Sequence, residues 1–257
     1  MLNLMIREIK KDDAVKFVRM YHYSKILPRI TKYYLGIYDE ETLLGVVTLG
    51  YGTQPLQTIK KIFYNDNMES KDYLEIGKMC FVPHMNNNKY FGSYTLSLIV
   101  KWMKKNTNCL FLYTLADGIM GKCGYVYQAS NFIYLGKFKT CVYLDNNTGE
   151  KIHPRSSKLL LRENEEFEGV KKLFWLTHDF CEYKNIDKIN GYMFRYIYPL
   201  NKDAKKILKT YKEYADTKYP KDCDLYFERR CAKGKYEQIS KPAFNMDVFK
   251  YNTQKVV

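Results

Sequence analysis

A buried strand followed by a loop with three glycines is the feature that most constrains this chain. The run Cys109–Leu115 is apolar except for one threonine, which is typical of a strand covered on both faces. Asp117 follows this strand, and glycines stand at 118, 121 and 124. Ligands of open α/β sheets bind where strands end, and glycine lets the backbone approach them closely. The segment therefore predicts a functional site, with a solvated aspartate in an ordinary glycine-rich loop as the alternative.

The composition is that of a globular protein. The chain has 257 residues, 46% of them hydrophobic, and no apolar run approaches the roughly 20 residues that cross a bilayer. The N-terminal residues lead into a charged segment rather than an apolar signal sequence. Seven cysteines without zinc-site spacing indicate reduced thiols. We therefore expect a cytoplasmic protein with no membrane partner, and its oligomeric state stays open.

The formal net charge of +14 predicts attraction to a polyanion such as DNA. The basic excess is spread along the chain, since residues 1–164 contain 23 Lys and Arg against 14 Asp and Glu, and residues 165–257 contain 19 against 14. Together with 25 tyrosines, this charge suits a folded surface that contacts phosphates and stacks on bases. The alternative is a coding bias that enriches Lys, Tyr, Asn and Ile.

The predicted elements follow the order strand, helix, hairpin, strand, loop, helix, strand, helix, hairpin. The first hairpin covers about residues 34–49, and the next strand covers Tyr73–Pro83. A loop over Asn86–Ser93 then leads into an amphipathic helix. The free N–H groups of such a helix start favour a phosphate or pyrophosphate. A simple N-cap at Ser93 or Asn88 is the alternative.

This order resembles the GNAT superfamily of N-acetyltransferases over about residues 3–160. The resemblance implies an α/β (α+β) fold, with a mixed twisted sheet flanked by helices, and a site for acetyl-CoA or a related acyl donor. The pyrophosphate loop of that superfamily corresponds to residues 87–92, where Gly92 keeps one small position and Tyr90 replaces the other. The residues that the resemblance places at the donor are Met79, Phe81, Asn88, Lys89, Gly92 and Ser93.

Shorter motifs resemble the Mom DNA-modification proteins of bacteriophages. These motifs are Tyr21–Ser24 with Leu27 and Pro28, Leu35–Tyr38, Gly45–Val47, Ala116–Gly118, Tyr127–Asn131 and Phe194–Tyr198. The resemblance implies that adenine in phage DNA is converted to N6-carbamoylmethyladenine, which protects that DNA from host restriction enzymes. This product is joined through a methylene carbon, so simple acyl transfer does not account for it. A different donor, or a divalent metal such as iron, stays open.

His22 and Tyr23 follow the first helix, which we expect to begin at Asp12 or Asp13. An imidazole in such a loop can move protons or hold a metal, and a purely structural histidine is the alternative. With the resemblance, His22, Tyr23 and Asp117 become the expected catalytic residues, and His22 and Asp117 the expected metal ligands facing one cleft. For Asp117, orienting the base, accepting a proton and capping the next turn all stay open.

The expected substrate contacts are Ser24, Tyr127, Gln128 and Asn131. An adenine that is modified at N6 must leave the duplex, and the extruded base then stacks on aromatic rings and bonds to amide side chains. A core role for the tyrosine, and a capping role for the two amide residues, are the alternatives.

Residues 1–164 are predicted to form the catalytic core, and residues 165–257 a C-terminal α/β extension packed on it, because no linker rich in Gly, Ser or Pro separates them. The extension contains a strand at 191–200 and a basic helix start at 203–209, and it either caps the DNA or packs as a solvated helix. Three functions stay open: a Mom-type transferase acting on DNA adenine, an acetyl-CoA-dependent N-acetyltransferase acting on a small molecule or protein, and a noncatalytic nucleic-acid-binding module.

Overall fold

The computed structural model describes residues 3–52, 54–64, 66–153, 158–215 and 217–251. The strands are β1 (Leu4–Glu8), β2 (Thr31–Asp39), β3 (Thr42–Gly50), β4 (Tyr73–Phe81), β5 (Phe111–Asp117), β6 (Ile133–Asp145), β7 (Lys151–Ile152), β8 (Ile186–Pro199), β9 (Glu228–Ala232) and β10 (Lys235–Gln238). The α-helices are α1 (Lys11–Tyr21), α2 (Pro55–Ile62), α3 (Phe91–Asn106), α4 (Tyr125–Gln128), α5 (Lys158–Glu168), α6 (His178–Lys184), α7 (Lys202–Thr210) and α8 (Lys212–Ala215). The expected α/β class is confirmed.

The chain divides into two compact units, each made of three segments. The first unit contains residues 1–116, 124–136 and 194–219, and the second contains residues 117–123, 137–193 and 220–257. The long strands β6 and β8 have residues in both units. The expected boundary after residue 164 falls inside a segment of the second unit, and residues 194–219 of the expected extension belong to the first.

The sheet of the first unit is built on the predicted hairpin, which is confirmed. β2 and β3 pair antiparallel, and Glu40 in their tight turn has a φ of +53°. β1 pairs antiparallel with β2, β4 pairs antiparallel with β3, and β5 joins β4 in parallel. Beyond β5 the strand order continues with β8 and then β6, which contribute residues 194–199 and 133–136 to this unit. The parallel step from β4 to β5 makes the sheet mixed.

Two helices of the first unit differ from the expectations. α1 begins at Lys11 with Lys10 as its N-cap, so Asp12 and Asp13 lie in the first turn instead of at the cap. Carboxylates in that turn still interact favourably with the helix dipole. α2 forms between the predicted hairpin and the predicted strand at 73–83, where the sequence predicts no helix. It has eight residues with only Ile59 and Ile62 buried, which is too short a pattern for a periodic signal.

The core of the first unit joins α2 and α7 to the sheet. The ring of Phe63 stacks on Phe111 with 4.6 Å between centroids, and the hydroxyl of Tyr211 donates to Asp66 over 2.5 Å. The helix predicted at 203–209 is confirmed as α7, which buries Ala204 and Leu208. A core cluster of this unit contains Ile59, Ile62, Phe63, Met68, Tyr73, Phe111, Tyr113, Leu135, Ile197, Ala204, Leu208 and Tyr211.

The second unit has its own core. It contains residues 137–145 of β6, residues 186–193 of β8, the short strand β7, the hairpin of β9 and β10, and helices α5 and α6. Its main cluster is formed by Tyr143, Ile152, Leu160, Leu176, Phe180, Cys181, Ile186 and Tyr251. Among the residues described in either unit, no helix combines the length and the apolar character that crossing a membrane requires.

Candidate functional site

The parallel pairing of β4 with β5 stops halfway along both strands. It joins Tyr73–Ile76 to residues 111–114, and within residues 66–153, all of which the structure describes, it does not extend to Gly77–Phe81. β3 stays paired with this second half of β4. Backbone N–H and C=O groups need partners, so a strand edge that a neighbouring strand leaves is a place for a ligand to bind.

A β-bulge at Gly77 marks the point where the strands part. Two consecutive residues of β3 pair with Ile76 and Lys78, so Gly77 is an extra residue in β4. A Cβ atom on Gly77 would lie 2.8 Å from Cγ of Pro28, so the position requires glycine. Bulges redirect backbone and side-chain groups, and they are frequent beside active sites.

Glu75 lies two residues before the bulge, and no sequence motif identifies it as a site residue. Burial raises the pKa of its carboxyl to about 7. The backbone of Gly52 lies over this carboxyl, because a Cβ atom there would come 2.3 Å from Oε2 of Glu75. A carboxyl that titrates near neutral pH in a recess of the fold is a candidate general base.

The charge of this carboxyl acts on two tyrosines, one in β4 and one in β5. The rings of Tyr73 and Tyr113 meet edge to face with 6.1 Å between centroids. Burial first, and the charge of Glu75 second, raise the pKa of both phenols, so both hydroxyls stay protonated. The Tyr73 hydroxyl donates to the backbone oxygen of Tyr51 over 3.0 Å. This bond fixes the loop that brings Gly52 over the carboxyl.

The predicted catalytic residues His22 and Tyr23 lie in the loop after α1. His22 is buried, its ring stacks on that of Tyr23 with 4.3 Å between centroids, and its Nδ1 accepts a hydrogen bond from Ser24 N over 2.9 Å. The hydroxyl oxygen of Ser24 accepts a hydrogen bond from Nζ of Lys78 over 2.8 Å. Because Lys78 directly follows the bulge, this contact connects the His22 loop to the second half of β4.

The loop before α3 is where the sequence predicts a phosphate site, and this role stays a prediction. Tyr90 is the N-cap of α3, so the expectation of a cap at Ser93 or Asn88 is wrong. Asn88 instead accepts a hydrogen bond from Tyr90 N, and the Ser93 hydroxyl donates to Tyr90 O. Gly92 and Ser93 therefore lie in the first turn, where N–H groups have no partner within the helix. Lys89 is exposed beside them.

The end of β4 meets the start of α3. The ring of Phe81 packs edge to face on that of Phe91 with 4.8 Å between centroids, and Met79 lies two residues earlier in β4. Gly92 faces α4, since a Cβ atom there would come 2.8 Å from Cγ2 of Val126. The strand and the loop that were expected to contact a donor are therefore neighbours in the first unit.

The predicted base contacts around α4 take part in internal packing. Tyr127 is buried, with its ring 5.4 Å from that of Tyr196, and Nε2 of Gln128 donates to the Tyr196 hydroxyl over 3.0 Å. Asn131 is exposed and has a φ of +59°. Gly124 is needed before this helix, because its φ is +87° and a Cβ atom would lie 2.5 Å from the ring of Tyr196. Their roles as substrate contacts stay predictions.

Asp117 belongs to the second unit, where lysines surround it. Its Oδ1 accepts a hydrogen bond from Met120 N over 3.3 Å, which confirms that it caps the next turn, and its Oδ2 accepts one from Lys151 Nζ over 2.9 Å. Burial lowers the pKa of Lys122; Asp117 opposes this effect, and the charges of Lys151 and Lys241 add to it. The carboxylate of Asp117 therefore partly neutralises a local excess of positive charge from these lysines.

A metal site stays a prediction. Among the described residues, no group of three or more His, Cys, Asp or Glu side chains is placed to hold a metal ion. His22 belongs to the first unit and Asp117 to the second. The cleft that these two residues are expected to share also stays a prediction.

Comparisons with known proteins identify a family and a set of solved structures. A model described as the Mom protein family matches residues 3–221. The methylcarbamoylase mom of Escherichia phage Mu is 30% identical over 217 residues, covering 81% of this chain and 80% of that protein. Spermidine N-acetyltransferase from Vibrio cholerae, in complex with CoA and spermine, is 10% identical, with a TM-score of 0.40, over 80% of this chain and 98% of that one. An N-acetyltransferase from Staphylococcus aureus Mu50 is 13% identical, with a TM-score of 0.38, over 77% and 97%.

The raised pKa of Glu75 makes folding stability depend on pH. The folded protein keeps a proton on Glu75 between its ordinary pKa of 4.5 and about 7, whereas the unfolded chain loses it there. Stability contributed by this group is therefore present at low pH and lost as the pH rises through that window.

We expect Glu75→Gln to flatten the fall in unfolding free energy between about pH 5 and about pH 8, measured by denaturant unfolding. Glu166→Gln, at an exposed carboxyl, is the matched control. An unchanged pH dependence in Glu75→Gln contradicts the assignment.

The contact between Gly92 and α4 predicts a cost for any side chain at position 92. Gly92→Ala places a methyl group against Val126, and we expect a loss of about 1–3 kcal/mol in unfolding free energy. Val126→Ala in the same chain makes room for that methyl group and recovers part of the loss. Thermal and denaturant unfolding of the two single variants and the double variant measure this. Strictly additive effects in the double variant would show that the two positions do not touch.

Proposed function

The chain belongs to the Mom protein family, and from that premise we propose that it is a transferase that converts adenine in phage DNA to N6-carbamoylmethyladenine. The observation that carries the proposal is the extent of its identity to the methylcarbamoylase of Escherichia phage Mu. The modification protects the phage DNA from host restriction enzymes, and it takes place in the cytoplasm of the bacterial host.

The first unit supports this proposal with a place for an activated donor. An acetyl-CoA-type donor fits along the edge of β4 beyond Gly77, on the side where the pairing with β5 has ended. The N–H groups of Gly92 and Ser93, with the ammonium of Lys89, suit its phosphates. When bound, such a donor supplies the activated carbon. Met79 and Phe81 belong to β4, and Asn88 belongs to the loop before α3.

Glu75 is our candidate for the group that takes the proton from the adenine amine. The N6 amine is a weak nucleophile, so it needs a base as its new bond to carbon forms. This requirement holds whether the attacked carbon is a carbonyl or the methylene carbon that the product contains. The role of Glu75 therefore does not depend on the identity of the donor. The charge of Glu75 acts on the phenols of Tyr73 and Tyr113 and raises the pKa of both, so the two rings lie near the carboxyl.

The His22 loop is placed to orient the adenine. His22 and Tyr23 present a stacked pair of rings, and Lys78 holds the loop through Ser24. Stacked aromatic side chains are a common platform for a base that has left the duplex. We assign His22, Tyr23 and Ser24 to this contact. Asp117 and its lysines supply a separate positive region in the second unit.

Modified nucleosides in cellular DNA test the function directly. Expression of the chain should yield N6-carbamoylmethyl-deoxyadenosine in digested DNA, measured by mass spectrometry. Glu75→Gln should lower its amount by roughly 10²-fold, as loss of proton transfer typically does. His22→Ala, which removes one ring of the stacked pair, and Asp117→Ala, which removes the carboxylate between the lysines, should each lower it as well. Glu166→Gln should retain the parent level. Absence of the modified nucleoside in the parent, with tight acetyl-CoA binding and no DNA affinity, would assign the chain to acetyl transfer on another substrate.

Binding to DNA should depend steeply on salt. Because the chain carries a net charge of +14, contacts with phosphates release counterions from the duplex. We expect the affinity, measured by fluorescence anisotropy with a labelled duplex, to fall by a factor on the order of 10³ between about 50 mM and about 200 mM salt. His22→Ala should keep this dependence, since affinity lies mainly in phosphate contacts. A flat response would remove the electrostatic support for DNA as the substrate.

A further inference from the structure

A loop of the second unit holds two large aromatic side chains in solvent. Phe174 is 74% exposed and Trp175 is 52% exposed. The loop, residues 169–176, also contains Lys171 and Lys172 and no acidic residue. We propose that this aromatic–lysine loop is a nucleobase-binding wedge, which stacks on the bases of DNA and opens the duplex. The inference rests on the proposed function, since it names the part of the chain that opens the substrate.

Hydrogen bonds to neighbouring elements fix the backbone of the aromatic–lysine loop. Three of its hydrogen bonds to neighbouring elements run from Leu173 N to Glu165 Oε1 (3.0 Å), from Asn164 Nδ2 to Trp175 O (3.1 Å) and from Leu176 N to the Tyr143 hydroxyl (3.1 Å). Leu176 is buried in the core of the unit, directly after Trp175. The two aromatic side chains are therefore exposed on an anchored backbone. A wedge needs this property, because a loosely held side chain folds back instead of separating two bases.

The end of the loop is also anchored. Thr177 follows Leu176 and caps α6, with its hydroxyl oxygen accepting from Phe180 N over 3.4 Å. The same hydroxyl makes a hydrogen bond to Oδ1 of Asn164 over 2.8 Å. Asn164 thereby holds both Thr177 and the backbone oxygen of Trp175. The loop is part of the packed structure on the side where it enters α6.

The composition of the loop favours DNA over a protein partner. An apolar protein surface covering Phe174 and Trp175 would also bury the neighbouring ammonium groups of Lys171 and Lys172, which is costly. On DNA the same two ammonium groups meet phosphates, while the rings meet base faces. Side chains such as Phe that enter a base step unstack it and kink the duplex. An enzyme that modifies adenine N6 needs this opening, because the amine lies inside the duplex.

The chain contains its own reporter for the test. It has two tryptophans, of which Trp102 is 9% exposed and Trp175 is 52% exposed. Emission that iodide can quench therefore comes from Trp175. We expect a short DNA duplex to quench this emission and to protect it from iodide at the concentrations where anisotropy shows binding. Trp175→Phe should bind the duplex without this signal.

The opening of the duplex is measured with 2-aminopurine in place of the target adenine, since its fluorescence rises when it leaves the stack. At saturating duplex we expect Phe174→Ala and Trp175→Ala each to reduce this rise about tenfold, within the range for loss of base–aromatic stacking. Tyr236→Ala is the matched control, because Tyr236 is an exposed aromatic residue on β10 of the same unit. Melting curves establish that all three variants are folded.

Several outcomes overturn the wedge. Unchanged Trp175 emission on duplex that anisotropy shows to be bound, or parent-level 2-aminopurine fluorescence in the Phe174→Ala, Trp175→Ala double variant, would each do so. Concentration-dependent self-association in sedimentation that Trp175→Ala abolishes would assign the surface to a second copy of the chain.

The wedge and the proposed function fail separately. Quenched Trp175 emission without modified adenine retains the wedge, and modified adenine with unaffected Trp175 emission retains the function. A parent that binds no DNA removes both.

Discussion

The early end of the pairing between β4 and β5 is the constraint on which the first unit depends. Backbone groups in a sheet are satisfied by neighbouring strands, and here one strand edge is released by a single extra residue, Gly77. The same bulge positions Lys78 toward the His22 loop, and the released strand ends against the start of α3. A donor site, a proton acceptor and a platform for the base can thus be arranged around one irregularity in a regular sheet.

The two units handle charge in opposite ways. In the first unit the carboxyl of Glu75 is shielded from water. Burial raises its pKa, so it holds its proton up to about pH 7. In the second unit Asp117 is instead placed among lysines, one of which has a lowered pKa because of burial and its positive neighbours. The first arrangement suits proton transfer, and the second suits contact with an anion.

Elements with a strong local pattern could be predicted from the sequence, whereas features made by distant segments could not. The hairpin, the strand before Pro83 and the glycine positions before α4 follow from alternation and turn chemistry. α2 could not be predicted, because only two of its residues are buried and two apolar positions are too few to show helical periodicity. Glu75 could not be identified because burial raises its pKa, and this burial comes from segments distant in the sequence, such as the backbone of Gly52. The division into two interleaved units could not be predicted, because the sequences of β6 and β8 each have the pattern of a single strand within one domain.

The position of Gly52 over the Glu75 carboxyl has a consequence for the acidity of this group. The backbone of Gly52 packs against the carboxyl, and the Tyr73 hydroxyl donates to the backbone oxygen of the preceding residue, Tyr51. Burial disfavours the charged form of a carboxyl, so each contact that covers it makes it a weaker acid. A backbone segment that carries no ionisable group thus contributes to the basicity of a residue on another element.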